Sequence, residues 1–366
     1  MAVLFQRAVI VGVGMVGGSL GRAMLSRGLV REVVGIDATL GAMEQAVALG
    51  AVTAAGDDLS AVSGADLVIL ATPVNTTLRL LWELPAWLQA GAVVTDVCST
   101  KADVVSRAEE VLPAGVTFVG GHPMAGSEKQ GVTALDENLF ENAIYVLTAN
   151  ESPALEKMAA LVRGLGAVPL VMAAQKHDRL VAAISHLPHL VATALVSAVA
   201  GMKAEKNELL ALAAGGFRDT TRVALGNPEM WQDICLTNRE NILALLDQLV
   251  DELMSVRRMV ATGAAEGLTK HFRAARDFRL QVPSRGKGIL PAVYNLYVYV
   301  PDKPGIIGEV AGLLGGAGIN IAEIELLRVR EEEGGPLRLG FDSEEKRLLA
   351  VGILAAQEFR VQMQEG

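Results

Sequence analysis

The sequence predicts an α/β protein in three parts: a doubly wound parallel sheet covered by helices, an all-helical domain, and a small ferredoxin-like βαββαβ domain. Three observations predict this. Apolar strand patterns alternate with helical patterns from residue 7 to about 172, strand patterns are absent up to 282, and strands return after 291. We therefore expect domains at 1–172, 173–282 and 291–366.

In the first domain, each strand pattern is continuously apolar, which indicates burial on both faces and hence a parallel sheet between two helical layers. The predicted strands are Ala8–Val13, Glu32–Asp37, Asp66–Ala71, Ala92–Val97, Thr117–Gly120, Ala143–Thr148 and Val168–Met172. The predicted helices are Met15–Ser26, Leu40–Leu49, one that ends at Leu112, and Pro153–Leu165.

The second domain shows helical patterns only. The segment from Leu180 to Met202 has no formal charge and is long enough to span a bilayer, but its histidines and hydroxyl side chains would be costly against lipid. We expect no membrane span, and predict a helix buried on all sides in a core or a subunit interface. Asn227-Pro228 predicts the start of a helix that carries an apolar stripe. The stripe consists of Ile242, Leu246, Leu249, Leu253, Val256 and Val260. Helices this apolar favour a homodimer.

The third domain follows a linker at 281–291 that contains Pro, Gly and mixed charge. Its predicted strands are Ala292–Val300, Ile319–Val329, Leu337–Phe341 and Phe359–Val361. Its predicted helices are Pro304–Gly315 and Glu344–Ala356, the second capped by Ser343. The order is that of a split βαββαβ unit.

The composition limits the function classes. Of 366 residues, 51% are hydrophobic, which is enough to build large cores and excludes a disordered chain. The 41 acidic and 32 basic residues give a net charge of −9, so neither nucleic acid nor an anionic membrane surface is an expected partner. The two cysteines, Cys98 and Cys235, are not in a CxxC pair, which argues against a disulfide framework and a thiolate metal site. We expect a soluble, cytoplasmic protein.

The motif Gly12-Val13-Gly14-Met15-Val16-Gly17 lies between a predicted strand and a predicted helix. Its glycines allow a tight turn and a close approach to a pyrophosphate, which the helix N-terminus also attracts. Asp37 ends the next strand and is placed to bind the ribose 2′-hydroxyl and to repel a 2′-phosphate. The pattern predicts a Rossmann-type domain that binds NAD in preference to NADP.

Two further motifs follow strands of the same sheet, where such sheets bind ligands. His122 lies in GHPMAGSE at 121–128, which we expect to be a loop; it can act as a general base or simply bond a backbone carbonyl. Ser99 lies in DVCSTK at 96–101 and can bind substrate or the nicotinamide, whereas Asp96 or Thr100 can simply cap the next helix.

Two motifs lie in the helical domain. SHLPH at 185–189 places His186 and His189 three residues apart with no third ligand nearby, so we expect no metal and favour a buried histidine that bonds an anionic substrate or a backbone group. GGFRDTTR at 215–222 places Arg218 and Arg222 around Asp219, which suits carboxylate binding or a surface ion-pair cluster. Together the motifs indicate a dehydrogenase for a small substrate that bears carboxylates.

With these motifs in this order, the chain resembles the prephenate dehydrogenase family of the TyrA type, in the form with a C-terminal ACT domain. The carriers are GVGMVGGS at 12–19, DVCSTK, GHPMAGSE, SHLPH, GGFRDTTR and NPEMW at 227–231, followed by PDKPGIIGEV at 301–310 and GINI at 318–321. The resemblance implies oxidative decarboxylation of prephenate by NAD to 4-hydroxyphenylpyruvate, CO2 and NADH, a step toward tyrosine.

The resemblance also implies roles for individual residues. His122 would deprotonate the ring hydroxyl and Ser99 would bond the same hydroxyl, as the two catalytic residues. The substrate would be bound by Arg222, His189, Trp231, Ser127, Glu128 and an Arg218 that reaches in from the partner subunit, with Asp219 orienting an arginine and His186 structural. The cofactor would be held by Gly12, Gly14, Met15, Val16, Gly17, Asp37, Thr72 and Pro73.

The ACT-like tail implies feedback control by an amino acid, most plausibly tyrosine. The ligand would lie at Pro304, Gly305, Asn320 and Ile321, between two paired chains; alternatively, the tail only assists assembly. For the whole chain, two other functions stay open: an arogenate dehydrogenase, which would share nearly every motif, and a catalytically silent amino-acid sensor. A dehydrogenase for β-hydroxy acids fits the motifs less well.

Overall fold

The computed structural model describes residues 3–39, 41–126, 131–202, 206–282, 294–301, 303–326 and 335–363. The chain forms two compact units, Met1–Ile289 and Leu290–Gly366. Each is described by itself below.

The described part of the first unit contains an eight-stranded sheet of order β3-β2-β1-β4-β5-β6-β7-β8. The strands are β1 (Phe5–Val11), β2 (Val30–Ile36), β3 (Ala54–Ala55), β4 (Leu67–Leu70), β5 (Val93–Asp96), β6 (Thr117–Pro123), β7 (Ile144–Thr148) and β8 (Val168–Val171). The helices between them are α1 (Met15–Ser26), α2 (Ala42–Ala48), α3 (Val74–Glu83), α4 (Ala102–Val111) and α5 (Pro153–Gly164). All pairings are parallel except that of β6 with β7.

The strands are buried on both faces, as the continuous apolar patterns predict. Along β1, Ala8 and Ile10 pack into the core on one side of the sheet, whereas Val9 and Val11 pack into the core on the other side. This confirms the sandwich of one sheet between two helical layers. The order in which successive strands are added to the sheet reverses between β1 and β4. Such sheets bind ligands at this position.

Three features of the sheet differ from the prediction. Strand β6 extends three residues beyond the predicted Thr117–Gly120, so His122 lies in a strand that pairs with Val146 rather than in a loop. Strand β7 runs antiparallel to β6, so the sheet is mixed at this edge. The short strand β3 and the helix α3 were not predicted.

The rest of the first unit is helical. Its helices are α6 (Ala174–Val181), α7 (Leu187–Ala200), α8 (Lys206–Leu212), α9 (Gly215–Thr221), α10 (Pro228–Thr237), α11 (Arg239–Thr262) and α12 (Ala265–Gln281), with a π turn at Ala182–His186. Asn227 caps α10 as predicted, accepting a hydrogen bond from Met230 N at 2.8 Å. The apolar stripe, however, lies on α11, because the chain leaves helical geometry at Asn238.

Helix α6, the π turn and α7 form a continuous segment, Ala174–Ala200, that is long and apolar enough to cross a membrane by length and composition alone. Only 28% of its most apolar window is buried, so the core of the single chain does not bury this segment on all sides, and its burial in a subunit interface stays a prediction. Ile184, for example, is 70% exposed. The buried residues of the segment include four polar ones, His177, Asp178, His186 and His189.

The second unit has the predicted βαββαβ order. Its elements are β9 (Tyr294–Val300), α13 (Ile306–Gly316), β10 (Glu323–Leu326), β11 (Gly335–Phe341), α14 (Glu344–Ala356) and β12 (Arg360–Met363). The sheet order β10-β11-β9-β12 is antiparallel throughout. Ser343 caps α14 as predicted, accepting from Lys346 N at 3.3 Å. Most of the predicted linker, and the last three residues of the predicted strand Ile319–Val329, lie outside the described residues.

Candidate active site

The glycine motif closes a tight turn between β1 and α1. Gly12 has φ +94°, and a Cβ there would lie 2.5 Å from the carbonyl oxygen of Ala71, while a Cβ at Gly17 would overlap the carbonyl oxygen of Gly12. By contrast, a Cβ at Gly14 would meet nothing within 4 Å. Two glycines therefore close the turn, and the middle one keeps its backbone open to a ligand at the N-terminus of α1, as a pyrophosphate requires.

Asp37 lies beside this turn, at the end of β2. Its carboxylate accepts hydrogen bonds from Val13 N and Thr39 N, each at 2.8 Å. The first bond fixes the carboxylate against the glycine motif, where a cofactor ribose would lie. Met15 and Val16, in the first turn of α1, are half-buried.

Thr72 and Pro73 follow β4, the parallel neighbour of the strand that precedes the glycine motif. Thr72 contacts the Gly12 position, and its hydroxyl bonds the hydroxyl of Thr77 at 2.8 Å. Pro73 precedes the first residue of α3. The cofactor residues predicted from the sequence thus come from the ends of three neighbouring strands, β1, β2 and β4.

Asp96 and Lys101 form an ion pair with no exposed surface on either side chain. The Asp96 carboxylate also accepts from Cys98 N at 2.9 Å and from Gly121 N at 3.0 Å. Those two backbone groups immediately precede Ser99 and His122. The ion pair therefore fixes the positions of both predicted catalytic residues.

Neither Asp96 nor Thr100 caps α4. The carboxylate of Asp178, on α6, accepts from Lys101 N at 2.7 Å and Ala102 N at 2.8 Å, while the Thr100 hydroxyl bonds that of Thr237 at 2.9 Å. The cap is thus supplied by a helix that follows some 75 residues later in the chain.

His122 is half-buried and bonds a second histidine. Its Nδ1 lies 2.8 Å from Nε2 of His177, and Nδ1 of His177 lies 2.7 Å from Oδ1 of Asp178. Burial lowers the pKa of His122 well below its usual value, and His177, Lys101 and His186 lower it further. The imidazole is therefore neutral at pH 7 and able to accept a proton.

Sequence reasoning missed His177 and Asp178. Both are 1% exposed. The available signal was an adjacent His-Asp pair at the start of an uncharged apolar segment, where such side chains must be hydrogen bonded to be tolerated.

His186 is bound by structural partners. Its Nδ1 lies 3.1 Å from Nδ2 of Asn238, which also donates to the carbonyl oxygen of Asp178 at 2.8 Å. Burial lowers the pKa of His186 to about 4. These contacts agree with the structural role that the resemblance implies.

His189 stacks on Trp231, with ring centroids 3.5 Å apart and planes 10° from parallel. Its ring is 5% exposed, and Nδ1 has no hydrogen-bond partner in the described part of the chain. Burial lowers the pKa of His189, although a hydrogen bond to the backbone of Val223 opposes this. A Cβ at Gly226 would overlap the Trp231 ring and lie 3.3 Å from the His189 ring, so this glycine, which sequence reasoning also missed, permits the stack.

Arg218, Asp219 and Arg222 are exposed on the single chain. Ser127 and Glu128 lie outside the described residues. The described part of the chain contains no group of three or more His, Cys, Asp and Glu side chains arranged to hold a metal ion.

The sequence was compared with models of known families. The model of the prephenate dehydrogenase nucleotide-binding domain matches residues 20–171, that of the prephenate dehydrogenase dimerization domain matches 173–274, and that of the ACT domain matches 294–348. The chain is 40% identical to a prephenate dehydrogenase of Bacillus subtilis over 357 residues, 95% of each protein. It belongs to the prephenate dehydrogenase family.

Solved structures of two dehydrogenases are similar to the chain in sequence and in fold. One is prephenate dehydrogenase from Aquifex aeolicus in complex with hydroxyphenyl propionate and NAD+, with TM-score 0.72 and 32% identity over 76% of this chain and 98% of that one. Another is Synechocystis arogenate dehydrogenase, with TM-score 0.66 and 33% identity over 75% of this chain and 99% of that one. The chain is a dehydrogenase with an NAD-binding Rossmann domain and a C-terminal ACT domain.

The predicted effector residues lie in the ACT domain. Gly305, with φ +87°, precedes α13. Pro304, Gly305 and Asn320 are exposed, and Ile321 is half-buried against the core of that unit. The residues flank the two ends of α13, so the structure leaves them accessible to a ligand.

Proposed function

We propose that the chain catalyses the NAD-dependent oxidative decarboxylation of prephenate to 4-hydroxyphenylpyruvate, with His122 as the general base. The observation that carries this is a neutral, half-buried imidazole at the carboxyl end of a strand of the Rossmann sheet. The Asp96 carboxylate accepts hydrogen bonds from the backbone just before His122 and just before Ser99, so it positions both residues. Family membership and the similarity to prephenate dehydrogenases support the substrate.

The chain's residues perform the chemistry as follows. His122 takes the proton from the hydroxyl on the substrate ring, and Ser99 bonds the same oxygen and holds it in place. NAD+, held by the glycine motif and Asp37, would supply the hydride acceptor for the carbon that bears this oxygen. The ring carboxylate then leaves as CO2, and the electrons of the broken bond make the ring aromatic. Because burial lowers the pKa of His122, its imidazole is neutral at pH 7 and has a free lone pair for this proton.

His189, Trp231 and Arg222 hold the substrate in this proposal. The unpartnered Nδ1 of His189 is a buried polar atom that the pyruvyl end of prephenate can satisfy. Stacking on Trp231 fixes the ring plane of His189. Arg222 would bind a substrate carboxylate with two parallel hydrogen bonds, and Ser127 and Glu128 are further substrate-binding residues in this proposal.

We further propose a cytoplasmic homodimer with domains at 1–172, 173–282 and 291–366. The dimer is supported by the large apolar side chains left exposed on the helices of the first unit, such as Ile184 at 70%, Leu253 at 58% and Val260 at 63%, and by the match to a dimerization domain. In the dimer, Arg218 of one chain would reach the site of the other.

The activity is tested by NADH formation from purified protein, NAD+ and prephenate, run beside arogenate. Turnover of prephenate is the expected result. Turnover of arogenate alone would retain the base and change the substrate, in line with the similar fold of an arogenate dehydrogenase. NAD binding without turnover of either would indicate a silent sensor.

Asp37→Ala is expected to relax the preference for NAD. In this proposal Asp37, which bonds the glycine motif, binds the ribose and would repel a 2′-phosphate, so its loss removes that repulsion. We expect the ratio of kcat/KM for NAD to that for NADP to fall by roughly 10-fold or more. Steady-state kinetics with both cofactors measure it. An unchanged ratio would remove Asp37 from the discrimination; Thr39→Ala, one of its neighbours outside the ribose position, is the control.

Tyrosine is expected to inhibit the full-length enzyme through the ACT domain. Asn320 is exposed beside the end of α13, so Asn320→Ala should leave kcat and KM unchanged and raise the tyrosine concentration for half inhibition by about 10-fold, the loss of one or two hydrogen bonds. Inhibition curves for both proteins measure this. Equal inhibition of the two would place the effector elsewhere, and no inhibition of the wild type would favour the assembly role.

A further inference from the structure

A buried chain of three side chains, His122, His177 and Asp178, lies behind the proposed base. The two links measure 2.8 and 2.7 Å, and each is a good hydrogen bond by length. His177 and Asp178 have almost no exposed surface, so water does not compete for these bonds. We call these three side chains the relay.

Asp178 can only be an acceptor. Its carboxylate takes backbone N–H donors on both oxygens, Lys101 N on Oδ1 at 2.7 Å and Ala102 N on Oδ2 at 2.8 Å. A protonated carboxyl would place its own hydrogen against one of these donors, so the group is ionised. Since Oδ1 also faces Nδ1 of His177, that nitrogen carries a proton and donates it.

The role proposed for His122 requires a neutral His177, because a protonated His177 would donate from both ring nitrogens and leave the proton of His122 on Nε2. With Nδ1 of the neutral His177 as donor, Nε2 of the same ring is an acceptor. Nδ1 of His122 must then donate to it. The lone pair of His122 is left on Nε2, the nitrogen that makes no hydrogen bond to the described residues.

Resting on the role of His122 proposed above, we propose that His177 and Asp178 are positioning residues that hold His122 in the tautomer with a basic Nε2. They also stabilise the positive charge that forms on the His122 ring when the substrate proton arrives. This is the arrangement by which a buried carboxylate orients a catalytic histidine in hydrolytic triads, here lengthened by one imidazole.

Asp178 also connects this chain to the other arm of the site. By capping α4 at Lys101 and Ala102 it fixes the end of the segment that carries Ser99. Asn238 in turn holds the Asp178 backbone, with Nδ2 at 2.8 Å from its carbonyl oxygen. One carboxylate therefore orients the base and anchors the loop that binds the same substrate oxygen.

The test compares two substitutions of His177 in the full-length enzyme. Glutamine can accept from His122 and donate to Asp178, whereas leucine fills the space and does neither. We expect His177→Leu to lower kcat on the order of 10²-fold with KM nearly unchanged, and His177→Gln to recover activity to within about 10-fold of wild type. Lys176→Gln, exposed on the same helix, should match wild type.

The pH profile of kcat/KM separates orientation from stability. The groups that face His122 are His177, His186 and Lys101, with Asp178 behind the first. At acid pH the charge on His177 lowers the pKa of His122, and both variants lose that charge. Only His177→Leu also loses the hydrogen-bond acceptor for protonated His122, so its acid limb should lie at lower pH than that of His177→Gln. A merely structural role would lower kcat and leave the two limbs at the same pH.

The proposal is overturned if leucine retains wild-type kcat, or if leucine and glutamine cause equal losses with acid limbs at the same pH. His122→Asn is measured beside them. If it is inactive while both His177 variants are normal, the relay fails and the proposed base stands. If it retains full activity, the proposed base itself fails.

Discussion

His122→Asn is expected to lower kcat by about 10²- to 10⁴-fold, the usual contribution of a general base. Asparagine fits the strand β6 position and preserves a polar group toward His177, but it cannot accept the proton of the ring hydroxyl. Because the glycine motif and Asp37 are not in contact with His122, the Kd for NAD should change little. Single-turnover NADH formation measures the first quantity and fluorescence titration the second.

The pH dependence supplies an independent check. The base works when it is neutral, so kcat/KM should be flat near pH 7 and fall as the pH decreases through the pKa of His122. That pKa is held below its usual value by burial, so the fall should come below about pH 6.5. A fall centred above pH 7, or wild-type kcat for His122→Asn, would exclude His122 as the base.

The cofactor site could be predicted from sequence because its determinants are local. Gly12, Gly17 and Asp37 each act through a turn or a strand end that short-range patterns specify. The helix Met15–Ser26 has the predicted bounds for the same reason. Continuous apolar strands gave the two-sided core directly.

The setting of His122 could not be predicted in this way. Gly120 and Gly121 suggest a loop, but neither has positive φ. They are glycines because a Cβ would collide with Thr148 on β7 and with the carbonyl oxygen of Asp96 on β5. Both neighbours are distant in sequence, so the glycines that permit close strand packing are indistinguishable from glycines of a turn.

Neither the relay nor the interruption of the helical region at Asn238 could be predicted, for the same reason. His177 and Asp178 meet His122 and the start of α4 only after the helical region packs on the sheet. The interruption at Asn238 leaves its side chain bonded to His186 and to the Asp178 backbone. No periodicity in the sequence encodes these contacts, because they are tertiary.

The Asp96–Lys101 pair leads to the largest expected effect on stability. Lys101→Met would leave the Asp96 carboxylate fully buried with only the backbone donors of Cys98 and Gly121. Removal of one partner from a buried pair costs about 3–5 kcal/mol, because the remaining charge is uncompensated. At roughly 2–4 °C per kcal/mol, the Tm should fall by about 6–20 °C, as measured by differential scanning calorimetry.

Two further variants isolate the cause. In Asp96→Asn combined with Lys101→Met, both charges are gone, but the amide oxygen can accept from only one of the two backbone donors because the amide NH2 faces the other, so part of the lost stability should return. Glu110→Gln, which breaks the partly exposed pair of Glu110 with Arg107, should cost less than about 1 kcal/mol. If the double variant is as unstable as Lys101→Met, the loss comes from packing around the lysine chain and not from the unpaired carboxylate. Because Asp96 also fixes the backbone just before Ser99 and His122, the folded fraction of Lys101→Met should show a lower kcat as well, which ties the stability of this pair to the geometry of the base.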